Sequence, residues 1–484
     1  MKTLLKLPTL MWLLALATVA GCDGTDTSSE PSALIAGISG NGVAIAIGPV
    51  ATFGSIVVNG VHYDTTNTIF MIDGNAATEA DLKVGQIVFV KGAINADLAS
   101  GNADSVDADD NVTGPIDSID LARSQLIVMG QLVFVNADTS FDNNISPASL
   151  EGLAVDDIVE VSGFFTAEGA TEATRIEKKP AGTRFEVHGF VSNHDATNFI
   201  FSINDLEVDY SNASLDDFPS GQISDDDFVE AKGNNIGTSD QLVANSVEFE
   251  GAGIDADEGD HVEVEGLITR FVSETDFDVA GIAVTTNGDT EFEGGGAADL
   301  ALNIKVEVEG TLDANGILVA DKVDIRRSKA VRATAVVDSV NAADNTLVML
   351  GITFVTDNLT RFEDKSSADL RPLTINDITA GDYLEIRGTE SPAGSGQILA
   401  SILEREDLDS ETILQGFVSN VADPTVTILG VTIETNGAVF EDVDDNIISA
   451  VEFFNQVDVN SLVKAKGTES SATTITASEV EFED

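Results

Sequence analysis

KVEVEG, residues 305–310, is the clearest copy of a short pattern that recurs along the chain and decides the fold. Val306 and Val308 share one face of an alternating segment, whereas Glu307 and Glu309 share the other. Such alternation is typical of a β-strand with one buried face. The pattern occurs as VFVKG ending at Gly92, VEVSG at Gly163, VEAKG at Gly233, VEVEG at Gly310, LEIRG at Gly388 and VKAKG at Gly467.

Two further patterns keep fixed places relative to the first. The upstream pattern has a central turn, as in VVNGVHY around Gly60, VMGQLVF around Gly130, INDLEVD near Asp205, VAGIAV around Gly281, MLGITF around Gly351 and ILGVTI around Gly430. The downstream pattern is alanine followed three residues later by an apolar residue: Ala103/Val106, Ala173/Ile176, Ala244/Val247, Ala320/Val323, Ala400/Leu403 and Ala477/Val480. Three ordered patterns recurring together indicate internal repeats.

The repeats predict an all-β chain of six tandem small β-barrels, OB-like, each of about 70–80 residues. A sheet this small is expected to close on itself, because open edges would be exposed. We expect the barrels to be strung as beads. The predicted boundaries are a lipoprotein signal peptide at 1–21, a lipidated cysteine with an acidic Ser/Thr linker at 22–36, and repeats at 37–110, 111–180, 181–251, 252–328, 329–407 and 408–484.

The glycine of the upstream pattern separates two short strands, so we predict that it supplies the positive φ of a tight hairpin turn. The third repeat has Asn204-Asp205 at this place. Asparagine and aspartate are the next best residues for left-handed backbone. This substitution favours a turn over a ligand contact.

The N-terminus predicts secretion and a lipid anchor. Lys2 and Lys6 precede an apolar run that is too short to span a membrane. Small residues then lead to Cys22, the single cysteine of the 484-residue chain. This segment resembles the lipobox of bacterial lipoproteins, in which the cysteine is lipidated and becomes the first residue after cleavage. An ordinary secretory signal with an incidental cysteine is the alternative.

The chain is strongly acidic, with 83 acidic and 24 basic residues and a net charge of −59. Such a surface repels nucleic acid and anionic lipid and attracts cations or basic partners. Two basic clusters stand at predicted joints between repeats: Lys178-Lys179, and Arg326-Arg327 with Lys329. They predict ion pairs that brace neighbouring repeats; solvated surface charge is the alternative.

Residues 37–64, GISGNGVAIAIGPVATFGSIVVNGVHYD, followed by DLKVGQIVFVKG at 81–92, resemble the opening of an uncharacterised family of bacterial lipoproteins and exported proteins. Members of this family are built from tandem β-rich domains of unknown function. The resemblance implies a cell-envelope location. It assigns no chemistry and supplies no catalytic residues.

No triad motif or zinc-ligand spacing is found in the sequence. The histidines are expected on the surface or in packing positions. The phenylalanines at strand positions, such as Phe70 and Phe141, are expected in the core. Calcium is the most plausible ligand, because short acidic loops offer hard oxygen atoms. The candidate ligands are Asp107, Asp109 and Asp110 in the first loop, Asp255 and Asp257 in the second, and Asp442, Asp444 and Asp445 in the third.

These observations predict a non-enzymatic, lipid-anchored cell-envelope protein that acts as a multi-repeat binding, spacer or scaffold module. We expect it on the periplasmic face of the inner or outer membrane or at the cell surface, with an unidentified and possibly basic partner and no nucleic acid. A calcium-dependent binding protein with acidic loops is the alternative. A hydrolase with an unrecognised site is a third hypothesis.

Overall fold

The computed structural model describes residues 43–53, 56–136, 138–237, 241–250, 254, 256–326, 331–391, 395–443 and 446–483. The predicted signal peptide, Cys22 and the acidic linker lie outside these residues. The described chain is all-β, with strands grouped in three sheets. None of the helices in the described part of the chain could span a bilayer.

The first half of the chain forms three groups of strands, which we call units 1, 2 and 3. Unit 1 contains β1 (Ala44–Thr52), β2 (Ile56–Val58), β3 (Val61–Asp64), β4 (Ile69–Ile72), β5 (Asn75–Ala77), β6 (Ile87–Ile94) and β7 (Ser100–Ala108). Unit 2 contains β8 (Val112–Asp120), β9 (Gln125–Val128), β10 (Gln131–Phe134), β11 (Ser140–Phe141), β12 (Ile158–Phe165) and β13 (Thr171–Lys179). Unit 3 contains β14 (Phe185–Asp195), β15 (Ile200–Ile203), β16 (Leu206–Asp209), β17 (Ser214–Asp216), β18 (Phe228–Ile236) and β19 (Leu242–Phe249).

The second half forms units 4, 5 and 6. Unit 4 contains β20 (His261–Ser273), β21 (Asp276–Val279), β22 (Ile282–Thr285), β23 (Glu291–Glu293), β24 (Lys305–Leu312) and β25 (Leu318–Arg326). Unit 5 contains β26 (Val331–Val336), β27 (Ser339–Asn341), β28 (Thr346–Met349), β29 (Ile352–Val355), β30 (Arg361–Asp364), β31 (Tyr383–Glu390) and β32 (Gln397–Glu406). Unit 6 contains β33 (Thr412–Ala422), β34 (Thr425–Ile428), β35 (Val431–Glu434), β36 (Val439–Glu441), β37 (Ile447–Ile448), α1 (Ala450–Gln456), β38 (Leu462–Ser471) and β39 (Thr474–Phe482).

Short 3-10 helices occupy some of the connections. They span Glu79–Asp81, Leu121–Arg123, Leu150–Gly152, Ala297–Asp299, Ala342–Asp344 and Ile375–Asp377.

Five strands of each unit pair into a closed ring. In unit 2, β8 pairs antiparallel with both β9 and β12, β9 pairs with β10, β10 runs parallel to β13, and β13 pairs with β12. Units 1, 3, 4 and 6 repeat this order. In unit 5 the interrupted pair β26 and β27 takes the place of β8. Closure covers most of the edges of these five strands, but the beginning of the first strand is not paired with the second strand.

The rings are joined in pairs through their first strands. In the second and third sheets, sequence neighbours join antiparallel: β8 with β14 and β26 with β33. In the first sheet, β1 instead runs parallel to β20, with Ala44 opposite His261 and Ile47 opposite Val264. Unit 1 therefore pairs with unit 4, and the chain completes units 2 and 3 in between.

The apolar cores follow this pairing. One continuous cluster fills units 5 and 6, and another fills units 2 and 3. Units 1 and 4 keep separate clusters, but β1 serves both: Ala46 packs in unit 1, while the adjacent Ile45 packs in unit 4. The sequence predicts small barrels strung as beads, whereas the structure joins them in pairs through their strands and cores. Paired first strands merge the units into larger sheets, and the described residues form one compact unit.

The glycine that ends each KVEVEG-like pattern lies at a β-bulge. The register of the ladder shifts beside Gly92, Gly163, Gly233, Gly310, Gly388 and Gly467. A Cβ atom added to any of these glycines would lie within 2.4 Å of a carbonyl oxygen on the paired strand. The pattern requires glycine because the two backbones approach closely there.

The downstream alanine is the partner of this glycine across the ladder. The pairs are Gly92 with Ala103, Gly163 with Ala173, Gly233 with Ala244, Gly310 with Ala320, Gly388 with Ala400 and Gly467 with Ala477. Each alanine is at most 5% exposed. Two of the three sequence patterns therefore describe one structural feature, a bulge closed by a small buried residue.

The upstream pattern forms the predicted hairpin turn. Gly60, Gly130, Gly281, Gly351 and Gly430 have φ between 71° and 84°. The preceding residue in each turn also has positive φ, including Met129 and Leu350. Positive φ at both central residues is typical of a type I′ turn. In unit 3, Asn204 adopts φ 50°, so the prediction of a turn at this place is confirmed.

The outer faces of the KVEVEG-like strands are largely covered, although their sequence is charged. Glu160, Glu230, Glu307 and Glu385 are each 8% exposed or less. A strand can be covered on both faces when units pack against one another. The alternation of apolar and polar residues is therefore real, but its polar face is largely an interface between units.

Arg175 on β13 shows how such an interface is held. Its guanidinium is 2% exposed, and Nη1 donates to the carbonyl oxygen of Val84 in unit 1 at 3.0 Å. The same group lies 3.1 Å from Glu363 Oε1 of unit 5 and 2.6 Å from Glu177 Oε1 of its own unit. One buried side chain thus connects three units.

The predicted braces do not connect units in this way. Lys178 pairs with Asp157, Lys179 with Glu160 and Glu177, and Arg326 with Glu307 and Asp324, and all these pairs lie within one unit. Arg327 and Lys329 lie outside the described residues. The bracing prediction is therefore wrong for the described members of the clusters, because each cation finds an acid on its own ladder.

We expect Gly310→Ala to destabilise the protein by about 1–3 kcal/mol, because the new methyl group would meet the Val319 carbonyl oxygen at 2.1 Å. Gly288→Ala in the same unit is the matched control, since no atom lies within 4 Å of its added Cβ. Urea denaturation of both variants measures the difference. Equal stability of the two variants would contradict the proposed role of the bulge.

We expect Arg175→Met to lower the free energy of unfolding by about 3–5 kcal/mol, because it leaves buried carboxylates without their cation. Arg123→Met is the control, since Arg123 is 73% exposed in its pair with Asp120 and such pairs contribute little. Thermal unfolding compares the variants. A loss no larger than that of Arg123→Met would show that Arg175 does not hold the units together.

Candidate functional site

The connection between units 1 and 2 is buried and held on both sides. Only residues 109–111 separate β7 from β8, and Asp110 and Asn111 are 3% and 6% exposed. The Oδ1 atom of Asn111 accepts a hydrogen bond from the Gly163 amide at 2.7 Å. Its carbonyl oxygen accepts one from the amide of His188 in unit 3 at 3.0 Å. The connection therefore lies where three units meet.

Three carboxylates from different parts of the chain converge at this junction. Asp73 lies in the turn after β4, Asp110 lies in the connection, and Glu160 lies on β12. One oxygen atom of each lies within 4.8 Å of the others. Asp73 has a φ of 49°, and its amide donates to the carbonyl oxygen of Ala108 at the end of β7 at 3.0 Å. We call these three residues the junction carboxylates.

The environment of the junction carboxylates disfavours their charged forms. Burial raises the pKa of Asp110 well above its usual range, and the charges of Glu160 and Asp73 raise it further. Burial also raises the pKa of Asp73 and of Glu160, although Lys232 and Lys179 oppose the effect. Ser162 Oγ donates to Asp110 Oδ1, whereas the buried Oδ2 has no hydrogen-bond partner.

A second group of titratable side chains lies beside the first in unit 3. His188, Glu230 and Glu250 bring ligand-type atoms within 4.8 Å of one another. His188 Nδ1 lies 2.6 Å from the Asp110 carbonyl oxygen and so donates to it, which directs Nε2 towards Glu230. Lys232 contacts Glu230 and lies 2.8 Å from Glu186 Oε1. This group is therefore already neutralised in part by an ammonium.

A third acidic group, Glu441, Glu479 and Glu481, lies in unit 6 next to the predicted 442–446 loop. Lys466 Nζ lies 2.6 Å from Glu479, and Lys464 contacts Glu481. This group also has its own cations.

The structure brings only part of the predicted calcium loops to such groups. Asp110 is a junction carboxylate, and Asp109 lies beside it with a pKa raised by burial. Asp107 faces partly outwards on β7, Asp257 is exposed, and Asp442 accepts hydrogen bonds from Asn446. Cys22, Asp255, Asp444 and Asp445 lie outside the described residues.

Asp73 and Glu160 were missed by sequence reasoning. Asp73 was indistinguishable from an ordinary turn residue, and Glu160 occupied a position expected to face solvent. Only the KVEVEG-like pattern could have pointed to Glu160, and it carried no information on what covers the strand.

A small polar cavity of about 80 Å³ lies where units 1, 2, 4 and 5 meet. Lys305 Nζ of unit 4 lies 2.6 Å from Asp138 Oδ2 of unit 2, and Arg361 Nη2 of unit 5 donates to the Asp138 carbonyl oxygen at 2.6 Å. The lining contains three basic and three acidic side chains: Lys305, Arg326, Arg361, Asp138, Glu265 and Asp357. Because these side chains come from units 2, 4 and 5, the cavity is part of a joint between units.

Comparison with known families agrees with the repeated architecture. A family model described as a domain of unknown function, DUF5666, matches residues 42–99, 113–177, 265–324, 334–403 and 415–481. The chain belongs to the DUF5666 family. The five DUF5666 matches fall on units 1, 2, 4, 5 and 6, which confirms the resemblance seen in the sequence. No curated protein matches the chain.

We expect Glu186→Gln to stabilise the protein at pH 8 by at least about 1.4 kcal/mol, the equivalent of one pKa unit. Burial, a hydrogen bond to Glu230 and the charge of Glu230 raise the pKa of Glu186 to about 9. The folded protein therefore retains a proton that the unfolded chain loses near pH 4.5, so stability falls as pH rises between these values. Glutamine mimics the protonated form and removes this loss.

Melting temperatures between pH 5 and pH 9 measure the effect. The gain of Glu186→Gln over the natural chain should be small at pH 5 and grow towards pH 9. Glu258→Gln, at an exposed position, controls for the loss of one negative charge. A gain that does not change with pH would exclude the buried proton on Glu186.

Proposed function

We propose that the chain is a non-enzymatic, lipid-anchored cell-envelope protein that acts as a rigid multi-barrel scaffold or binding module. The observation that carries this proposal is the use of side chains: apolar residues fill the rings, and buried charged residues join one unit to another. Arg175 links units 1, 2 and 5, and Lys305 links units 4 and 2. Such joints favour a fixed body over a flexible string.

We infer that the chain carries six copies of an OB-like barrel and that unit 3 is a diverged sixth copy. Unit 3 has the ring order of the DUF5666 units, the bulge at Gly233 and its small partner Ala244. Among the described residues, units 3 and 6 both lack one contact that the other four units share. In units 1, 2, 4 and 5 a threonine hydroxyl donates to the carbonyl of the downstream alanine: Thr68 to Ala103, Thr139 to Ala173, Thr290 to Ala320 and Thr360 to Ala400.

The excess of acidic residues indicates the class of partner. The chain has 24 basic residues, and several of the buried ones are committed to joints, so the remaining surface is dominated by Asp and Glu. A basic protein or a cation is the complementary ligand. A calcium-dependent binding protein is the second candidate function, and the junction carboxylates favour it.

Cys22→Ala in the full chain tests the anchor. We expect the natural chain in the membrane fraction, carrying fatty acid label and released by detergent, and the variant without label. Ser28→Ala, six residues away, is the matched control and should behave as the natural chain. Unlabelled natural protein, or label on the variant, would contradict the lipid anchor.

Capture from envelope extracts tests the scaffold. The Cys22→Ala chain, used as bait in 0.15 M salt, should retain a defined basic partner, and binding should weaken at higher salt. Arg175→Met in the same bait should reduce capture if the partner spans several units. Enzymatic turnover by the purified chain would contradict a non-catalytic role.

A further inference from the structure

The junction carboxylates bring three negative groups closer together than free carboxylates would stay. Their oxygen atoms lie within 4.8 Å of one another, and the site is largely shielded from water. Like charges at this separation repel, and a low-dielectric surrounding strengthens the repulsion. The arrangement therefore requires protons or a cation to be stable.

The surrounding lysines supply only part of that charge. Lys179 Nζ contacts Glu160 at 2.7 Å but also Glu177 at 3.1 Å. Lys232 Nζ reaches the carbonyl oxygen of Asp73 at 3.3 Å and also contacts Glu186 and Glu230. No lysine or arginine ion pair is found for Asp73 or Asp110 within the described residues.

Asp110 provides the independent sign of a ligand. Asp110 is only 3% exposed, and its Oδ2 atom accepts no hydrogen bond. A buried carboxylate oxygen without a donor is costly. Because Asp110 is one of the three convergent residues, an ion bound by the group would neutralise this carboxylate.

We propose that a hard divalent cation of the calcium class binds Asp73, Asp110 and Glu160 and thereby joins unit 1 to unit 2. All three ligands are oxygen atoms, which calcium and magnesium prefer. Two oxygens bound to one ion at about 2.4 Å can be at most about 4.8 Å apart, and one oxygen atom of each of the three carboxylates satisfies this condition. Magnesium bonds are shorter and more strictly octahedral, whereas calcium accepts irregular sets of carboxylate oxygens, so we assign the site to calcium.

This site goes beyond the proposed scaffold function and does not depend on the lipid anchor. A cation held by both units binds the folded chain and not the unfolded chain, so it stabilises the fold by mass action. Loss of the cation would loosen the short connection at 109–111. His188 of unit 3 donates hydrogen bonds to the carbonyl oxygens of this connection.

Calorimetric titration of the full chain, stripped with chelator and kept in 0.15 M salt, tests the proposal. CaCl2 and MgCl2 are titrated separately. We expect one saturable calcium site, with magnesium at least tenfold weaker. Asp110→Asn should weaken calcium binding at least tenfold, whereas Asp257→Asn, the same change in an exposed loop, should bind as the natural chain does.

Several results would overturn the site. A lack of saturable calcium binding by the natural chain would overturn it. Unchanged calcium binding by Asp110→Asn would overturn it as well. Equal rises in melting temperature with both ions, unaffected by Asp110→Asn, would indicate screening of surface charge only. Magnesium binding as tightly as calcium, lost in Asp110→Asn, would overturn the calcium class. If Asp110→Asn does not fold, Glu160→Gln replaces it in every arm.

Discussion

The structure depends on neutralising charged side chains that lie on the covered faces of its strands. Once units pack against one another, an outward glutamate or arginine leaves water and must find an opposite charge. Glu385, Arg387 and Glu404 form one such buried group in unit 5, and Arg387 also donates to the Thr139 carbonyl of unit 2 at 2.7 Å. Such buried groups neutralise charges within a unit and also hold one unit against another.

The scarcity of basic residues makes this constraint severe. With 24 basic and 83 acidic residues, a buried acid cannot rely on finding a cation nearby. Burial and the neighbouring Glu307 and Glu309 raise the pKa of Glu263 well above its usual range. At the junction between units 1 and 2 the same shortage leaves Asp110 with a buried oxygen and no donor. Cations from solution are the natural complement to such a chain.

Backbone proximity is the second constraint. The bulge glycine and its alanine partner bring two strands of each ring close together, and a hairpin with positive φ sets the opposite corner. Together they bend a short sheet until it closes. The beginning of the first strand is not paired with the second strand of its own ring. This free edge segment pairs with another unit.

The sequence by itself determined the local architecture of this protein. Alternation identified the strands, and Asn or Gly marked the hairpin, because these features depend on backbone geometry within one repeat. The glycine and alanine patterns were visible in the sequence, but only the structure showed that they meet at a bulge. The sequence also identified the family and one junction carboxylate, Asp110. These are short-range constraints, and a repeated pattern makes them visible.

Only the tertiary structure decided how the units are arranged. Nothing in the sequence indicated that β1 pairs with β20, since edge strands of similar repeats are chemically alike and any two could pair. For the same reason Glu160 was expected in solvent, and Asp73 could not be connected with Asp110. Contacts between distant units determine which faces are covered and which carboxylates meet. A charged residue that indicates a solvated face in the sequence can therefore be buried in the structure.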